Sequence, residues 1–108
     1  MTEFQEKCYQ ALKKIPKGKV TTYKQLAQII GHPKAYRAVG TAMNKNPYAP
    51  NVPCHRVVNN DGGIGGFASS ISKKIALLNK EGILVKNNKI VDFKAKLFNA
   101  FIDDLPII

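Results

Sequence analysis

A cysteine, a histidine and an arginine follow one another in the segment NVPCHRVV, residues 51–58. A thiolate is a good nucleophile, and a nearby imidazole can accept the thiol proton. Cys54 and His55 are therefore a candidate nucleophile and base. Because sequence neighbours usually point in different directions, we expect a water molecule to bridge them. The alternatives are a buried, unreactive thiol and a zinc site, but no further Cys or His lies at a spacing typical of zinc ligands.

A histidine that acts as a base needs an acidic partner to orient it. Acidic residues are scarce after the motif, and the candidates are Asp61, Glu81, Asp92, Asp103 and Asp104. We expect Glu81 to be the partner, because the pattern places it at the end of the helix predicted for SSISKKIALLNKEG. We expect Arg56, the next residue of the motif, to anchor the turn through an ion pair or a hydrogen bond.

The charge of the chain is strongly positive and unevenly distributed. The net charge is +10, and the stretch from Lys7 to Arg56 holds ten Lys or Arg residues and no Asp or Glu. Such a one-signed region attracts polyanions, so nucleic acid is the first candidate partner and an anionic membrane surface the second. The plain alternative is a basic surface that serves solubility alone.

The sequence predicts a cytoplasmic protein, associated with the nucleoid if it is prokaryotic. The first residues lack a signal sequence, and no apolar run reaches transmembrane length, so we expect no membrane contact. In that reducing compartment we expect the two cysteines to stay free, although one disulfide between them is conceivable. Cys8 falls on the apolar stripe of a predicted helix, so we expect it in the core.

The elements that must position the motif are mostly helical. Two capping boxes, Thr2 with Gln5 and Thr22 with Gln25, predict two helix starts, and Pro33 suggests a third. The helix that begins at Thr22 ends at a glycine, and the third helix follows after a short break. This pair is typical of a helix-turn-helix. The second helix of the pair, HPKAYRAVGTAMNKNP, is rich in small residues.

The residues after the motif predict a wing. RVV is a predicted strand, and ILVKNNKIV is a predicted hairpin around two asparagines. Between them we expect a helix with Ile71, Ile75 and Leu78 on its inner face. The fold class is therefore mainly α with a small β component, in a winged helix-turn-helix-like single domain. We expect this domain to span residues 1–93, with a helical tail at 94–108 packed on it.

Several segments together resemble the O6-alkylguanine-DNA alkyltransferases. In chain order they are TTY, RAVGTAMNKNP, PCHRV, and GGIGGF with the KK, LL and EG that follow it. From about Phe4 to Gly82 they have the order and spacing of the family. PCHR alone is moderately specific, whereas the combination is highly specific. The resemblance implies DNA repair by direct reversal. A monomer with no cofactor and no metal binds double-stranded DNA, flips out O6-alkylguanine and transfers the alkyl group irreversibly to its own cysteine.

The resemblance also implies roles for single residues. Cys54 matches the alkyl acceptor, His55 the base that acts through water, and Glu81 the carboxylate that orients it. Asn46 matches the residue that ties the helix-turn-helix to the active-site turn. Tyr23 matches a tyrosine that donates to the guanine ring as it leaves and crowds the phosphate beside the flipped nucleotide.

Two further sets of residues are implied for DNA contact and for the base pocket. In the family the small-residue helix lies in the minor groove, and an arginine fills the vacated stack. The residues at DNA-contacting positions are Arg37, Tyr23, Ala38, Gly40 and Thr41. The residues at base-pocket positions are Val57, through its carbonyl, and Phe67, Ala68 and Ser69.

The chain departs from the family pattern in three places. Ser69 and Ser70 stand where the family usually has glycine. The tail from Lys94 has no clear counterpart in the family. We also expect this chain to lack the N-terminal domain that most members carry before this region. The alternative function is therefore a non-enzymatic, alkyltransferase-like lesion-binding protein, although those proteins generally have tryptophan at the position of Cys54. A third reading is a plain winged-helix DNA-binding module whose thiol is inert.

Overall fold

The computed structural model describes residues 2–48, 51–65 and 70–98. Within these ranges the elements are α1 Glu3–Leu12, β1 Thr21–Thr22, α2 Tyr23–Ile29, α3 Tyr36–Asn44, a 3-10 turn Cys54–Arg56, β2 Val57–Val58, α4 Ile71–Lys80, β3 Val85–Lys86, β4 Lys89–Ile90 and α5 Phe93–Lys96. The predicted fold class, a mainly α, winged helix-turn-helix-like single domain with little β structure, is confirmed. None of the described helices combines the length and the apolar character that crossing a membrane requires.

The first helix follows the prediction closely. The Thr2 hydroxyl accepts a hydrogen bond from the backbone N–H of Gln5, and the Gln5 side chain accepts one from the backbone N–H of Thr2. This capping box satisfies amide groups that the first turn of a helix leaves unpaired. Cys8 and Leu12 on the inner face of α1 are fully buried, so the prediction that Cys8 belongs to the core is confirmed.

The helix-turn-helix is present, but two details of its prediction are wrong. Thr22 caps α2 as expected, yet the Gln25 side chain accepts from the Thr21 hydroxyl and donates to the carbonyl of Phe98 instead of closing a capping box. The helix expected to start at Pro33 begins at Tyr36 instead. A turn precedes it, in which the backbone N–H of Ala35 donates to the carbonyl of His32.

A short parallel strand pair joins the helix-turn-helix to the motif. Thr21 pairs with Val57 and Thr22 with Val58, a contact that the sequence did not suggest for the TT dipeptide. Successive residues of a strand point to opposite faces. Accordingly, the Val57 side chain packs in the core formed by α1, α2 and α3, whereas Val58 packs in a second core with residues of α4 and the hairpin. The motif therefore lies where the two cores meet.

The inner face of the fourth helix differs from the prediction at its first residue. Leu78 is fully buried and Ile75 half-buried, but Ile71 is 40% exposed, so its assignment to the inner face is wrong. Lys74 occupies that face instead, one turn before Leu78, with no exposed surface. Ser70, one of the two serines that depart from the family pattern, caps α4 by accepting a hydrogen bond from the backbone N–H of Lys73 at 3.1 Å.

The predicted hairpin is confirmed, and the predicted tail helix is partly wrong. Asn87 and Asn88 both adopt left-handed backbone conformations, with φ of 52° and 61°, as a two-residue turn of this kind requires. Helix α5 ends at Lys96, because the chain then becomes extended and Leu97 pairs with Val20 beside β1. The rest of the predicted tail, residues 99–108, lies outside the described residues.

Candidate active site

The thiol of Cys54 is held in the 3-10 turn that follows Pro53. Pro53 precedes the turn with φ of −83° and ψ of 68°, and the backbone N–H of Cys54 donates to the carbonyl of Val52 at 2.9 Å. The Cys54 residue is only 5% exposed and packs in the helical core. A small reactant must therefore enter a pocket to reach this sulfur.

His55 and Arg56 converge on one carboxylate. Nε2 of His55 lies 3.1 Å from Oε2 of Glu81, although the ring N–H does not point straight at that oxygen. Arg56 donates to the same carboxylate through Nε at 2.9 Å and through Nη2, and its Nη1 donates to the carbonyl of Ile15 at 2.8 Å. Arg56 is thus an anchor that ties the turn to α1 and to the end of α4, as predicted.

Burial and pairing set the charges of this cluster. Burial lowers the pKa of His55, and the opposing effect of Glu81 does not restore it. Burial alone would raise the pKa of Glu81, but the hydrogen bonds from Arg56 and the proximity of the His55 ring outweigh it, so that pKa is lowered. At neutral pH the imidazole is therefore neutral and the carboxylate is charged. If Nε2 carries the proton toward Glu81, then Nδ1 is the nitrogen left to accept a proton.

Lys74 is a component of the site that the sequence did not reveal. Its Nζ donates to the carbonyl of Val57 at 2.7 Å from a fully buried position. Burial lowers the pKa of Lys74 to about 8, whereas the negative charge of a Cys54 thiolate would raise it. One acceptor position of the Val57 carbonyl is therefore taken. A lysine in a KK pair is normally predicted to be exposed to solvent. Only its spacing of four residues from Leu78 indicates that Lys74 lies on the buried face of α4.

Tyr23 stands between the motif and the glycine-containing loop. Burial raises the pKa of its hydroxyl, and the charge of Cys54 raises it further, so the hydroxyl keeps its proton. The backbone of Gly65 passes close to this hydroxyl: a Cβ at Gly65 would lie 3.3 Å from Oη and 3.2 Å from Oδ1 of Asn59. With its φ of +70°, this position suits glycine alone.

Asn46 links the end of the helix-turn-helix to the approach of the motif. Its Nδ2 donates to the carbonyl of Val52 at 2.8 Å, and its Oδ1 accepts from the backbone N–H of Tyr48 at 2.9 Å. The side chain thereby folds the segment after α3 back toward Cys54. This is the position that the resemblance implied, and the role of Asn46 in the reaction stays a prediction.

The outer face of α3 is slim and carries one cation. Arg37, Ala38 and Thr41 are exposed, and the Thr41 hydroxyl donates to the carbonyl of Arg37 at 3.3 Å. Gly40 lies against the ring of Tyr23, with 3.9 Å between an added Cβ and that ring. The small residues allow another surface to approach the backbone of α3 closely. The arginine side chain has no partner among the described residues.

Not every predicted site residue is described. Phe67, Ala68 and Ser69, predicted to line the base pocket, lie outside the described residues, so their placement stays a prediction. Among the described residues, no three His, Cys, Asp or Glu side chains cluster as metal ligands would.

The chain is similar to several known proteins. Residues 3–83 match the family model described as 6-O-methylguanine DNA methyltransferase, DNA binding domain. A methylated-DNA–protein-cysteine methyltransferase of Methanosarcina acetivorans is 52% identical over 81 residues, which cover 75% of this chain and 52% of that protein. The chain spans about half the length of this relative and of a second methyltransferase, from Methanosarcina barkeri.

Two solved structures resemble the fold. The Mycobacterium tuberculosis OGT in complex with DNA has a TM-score of 0.75 and 44% identity, covering 76% of this chain and 50% of that one. The Schizosaccharomyces pombe Atl1 in complex with damaged DNA containing O6-carboxymethylguanine has a TM-score of 0.79 and 31% identity, covering 92% of this chain and 97% of that one.

Proposed function

Because the chain belongs to the 6-O-methylguanine DNA methyltransferase family, we propose that it repairs double-stranded DNA containing O6-alkylguanine. The alkyl group passes irreversibly to Cys54, so each molecule reacts once. The observation that carries this proposal is the buried Cys54 in the same turn as His55, with His55 Nε2 3.1 Å from the Glu81 carboxylate. We propose that the protein acts as a monomer without a cofactor, in the cytoplasm or at the nucleoid.

The reaction is a displacement at carbon. The thiol proton of Cys54 passes through a water molecule to the neutral imidazole of His55, and the charged Glu81 stabilises the imidazolium that forms. The thiolate sulfur then bonds to the alkyl carbon while the bond from that carbon to O6 breaks. The electron pair stays with guanine, which leaves as the neutral base once a proton is supplied. Tyr23, whose hydroxyl is protonated before the reaction, is the proposed donor to the leaving ring, and the proton that the thiol gave up replaces the one that Tyr23 donates.

Base flipping follows from the burial of the thiol. An O6 substituent inside a duplex cannot reach a sulfur that is 5% exposed, so the nucleotide must leave the stack. The slim face of α3 fits the minor groove, and Arg37 fills the gap in the stack. The positive region from Lys7 to Arg56 supplies phosphate contacts that hold the duplex without reading its sequence.

Intact-mass measurement tests the proposal directly. After incubation with a duplex that holds one O6-methylguanine, the protein should gain one methyl group in place of one hydrogen, and peptide mapping should find it on Cys54. The Cys54→Ala variant should gain nothing. Cys8→Ala is the matched control, since Cys8 is also buried but burial raises its thiol pKa to about 11. A methyl group on Cys8, or no methyl group at all, contradicts the proposal.

A second candidate is a protein that binds the lesion without reacting. Its support is the similarity of the fold to Atl1, with a TM-score of 0.79 at 31% identity. Tight binding to the O6-methylguanine duplex without a gain in mass favours this candidate. Equal affinity for damaged and undamaged duplex, again without transfer, indicates a plain DNA-binding module.

A further inference from the structure

Tyr36 is a large aromatic residue on the otherwise slim face of α3. It begins the helix and is 46% exposed, next to Arg37 and one turn before Gly40. Residues four apart share a helix face, and Gly40 is where the Tyr23 ring packs. The ring of Tyr36 therefore stands on the same side of α3 as Tyr23. Its hydroxyl has no hydrogen-bond partner in the described part of the chain.

The two tyrosines share a cleft of about 260 Å³. Its other lining residues are Lys24, Asn59 and Asn60, which bring an ammonium group and two side-chain amides. Tyr23 forms part of this cleft while its hydroxyl adjoins Gly65, where the predicted pocket loop begins. The cleft thus lies beside the start of the loop that is predicted to line the base pocket. One wall is aromatic, and the others carry groups that donate hydrogen bonds to an anion.

This combination suits the sugar and phosphate of a nucleotide whose base has entered the pocket. A flipped base takes its deoxyribose to the mouth of the pocket, and the flanking phosphate must stay near the surface. An aromatic ring offers an apolar face to the sugar, and Lys24 offers a positive charge to the phosphate. A bulky side chain at this position would obstruct the groove if it pointed outward. A side chain that lines the cleft is instead placed beside an extruded nucleotide.

We infer that Tyr36 is a positioning residue that packs its ring against the deoxyribose of the extruded nucleotide and so stabilises the flipped state. This inference rests on the proposed function. It separates two side chains at the start of α3: Arg37 occupies the space that the base leaves, and Tyr36 keeps the base from returning. Extrusion costs unstacking and unpairing, so a contact made only in the extruded state raises the reactive population.

The test compares transfer from duplex DNA with transfer from the free base. With saturating O6-methylguanine duplex, Tyr36→Ala should transfer the methyl group roughly tenfold more slowly than the wild type. With free O6-methylguanine base, which needs no flipping, the two proteins should react at the same rate. Tyr36→Phe keeps the ring and should match the wild type on both substrates. Tyr48→Ala is the control, since Tyr48 is 48% exposed and contacts Tyr9 instead of the cleft.

Three results overturn the inference. They are an unchanged duplex rate in Tyr36→Ala, an equal loss on duplex and free base, and a Tyr36→Phe rate as low as that of Tyr36→Ala. If the wild type transfers nothing from either substrate, the proposed function fails, and equilibrium binding decides the role of Tyr36. The preference for O6-methylguanine duplex over guanine duplex should then fall about tenfold in Tyr36→Ala; an unchanged preference overturns the inference there too.

Discussion

Replacing Lys74 with methionine is expected to change how the stability of the protein depends on pH. The lysine is fully buried, and burial lowers its pKa from 10.5 to about 8. Below about pH 8 the lysine is charged in both the folded and the unfolded states, and burying the charge destabilises the fold. Between about pH 8 and 10.5 the folded protein releases the proton first. The destabilisation therefore disappears as pH rises through this window.

The size of the effect follows from the pKa difference. A shift of about two and a half units corresponds to ~3 kcal/mol of destabilisation at neutral pH, as an order of magnitude. Methionine has a similar length and no charge, and it loses the hydrogen bond to Val57 at every pH. The difference in unfolding free energy, variant minus wild type, should therefore fall by about 2–3 kcal/mol between about pH 7 and about pH 10.

Urea unfolding of both proteins at the two pH values measures this change. Groups that titrate equally in both proteins cancel in the difference. Lys73→Met is the matched control, because Lys73 is exposed on the same helix and should give a difference that does not vary with pH. A Lys74→Met difference that is the same at both pH values would refute the reasoning. Methyl transfer by Lys74→Met should be slower than by the wild type. The Val57 carbonyl, which is predicted to line the base pocket, loses the hydrogen-bond donor that holds it in place.

Arg56→Met should lower the unfolding free energy by about 3 kcal/mol at neutral pH, because it leaves the nearly buried Glu81 carboxylate without its main partner. The pKa of Glu81 is lowered in the fold, so this loss should shrink as acid protonates the carboxylate; urea unfolding at two pH values checks both statements. Glu81→Gln should slow methyl transfer and move the acid limb of the pH–rate profile to lower pH, because the pKa of His55 then lacks the raising effect of Glu81; an unmoved limb contradicts this. Deleting residues 94–108 should lower the melting temperature strongly, because the deletion removes the extended segment that pairs with Val20 beside β1. A shortened protein with the melting temperature of the full chain contradicts this prediction. Asn88→Ala should cost about 1 kcal/mol in thermal unfolding, whereas Asn88→Gly should not, because the turn needs a left-handed backbone there.

The features that the sequence predicted are mostly local. The Thr2 capping box and the hairpin at Asn87 and Asn88 depend on residues a few positions apart, so the residue types alone predict them. The pairing of His55 with Glu81 is not local. Its prediction depended on the small number of acidic residues after the motif and on the resemblance to a family. The structure places the two side chains in contact.

The features that the sequence missed depend on distant contacts. A two-residue strand such as Thr21–Thr22 has no periodicity to detect, because its partner is more than thirty residues away. The inner face of α4 was misassigned because Ile71 is apolar and Lys74 is charged, yet the backbone carbonyl of Val57 offers the lysine a buried acceptor. Tertiary contacts of this kind override the preference of a single side chain for water or core.

The strand pair explains how two distant parts of the chain become one site. Tyr23 follows β1 directly, and Cys54–Arg56 directly precede β2, so the register of two residue pairs fixes the tyrosine relative to the thiol. A slip by one residue would exchange the two cores into which Val57 and Val58 pack, which makes the register costly to change. It would also take the Val57 carbonyl away from Lys74. The proposed proton donor and nucleophile are therefore held by the same packing that buries the lysine.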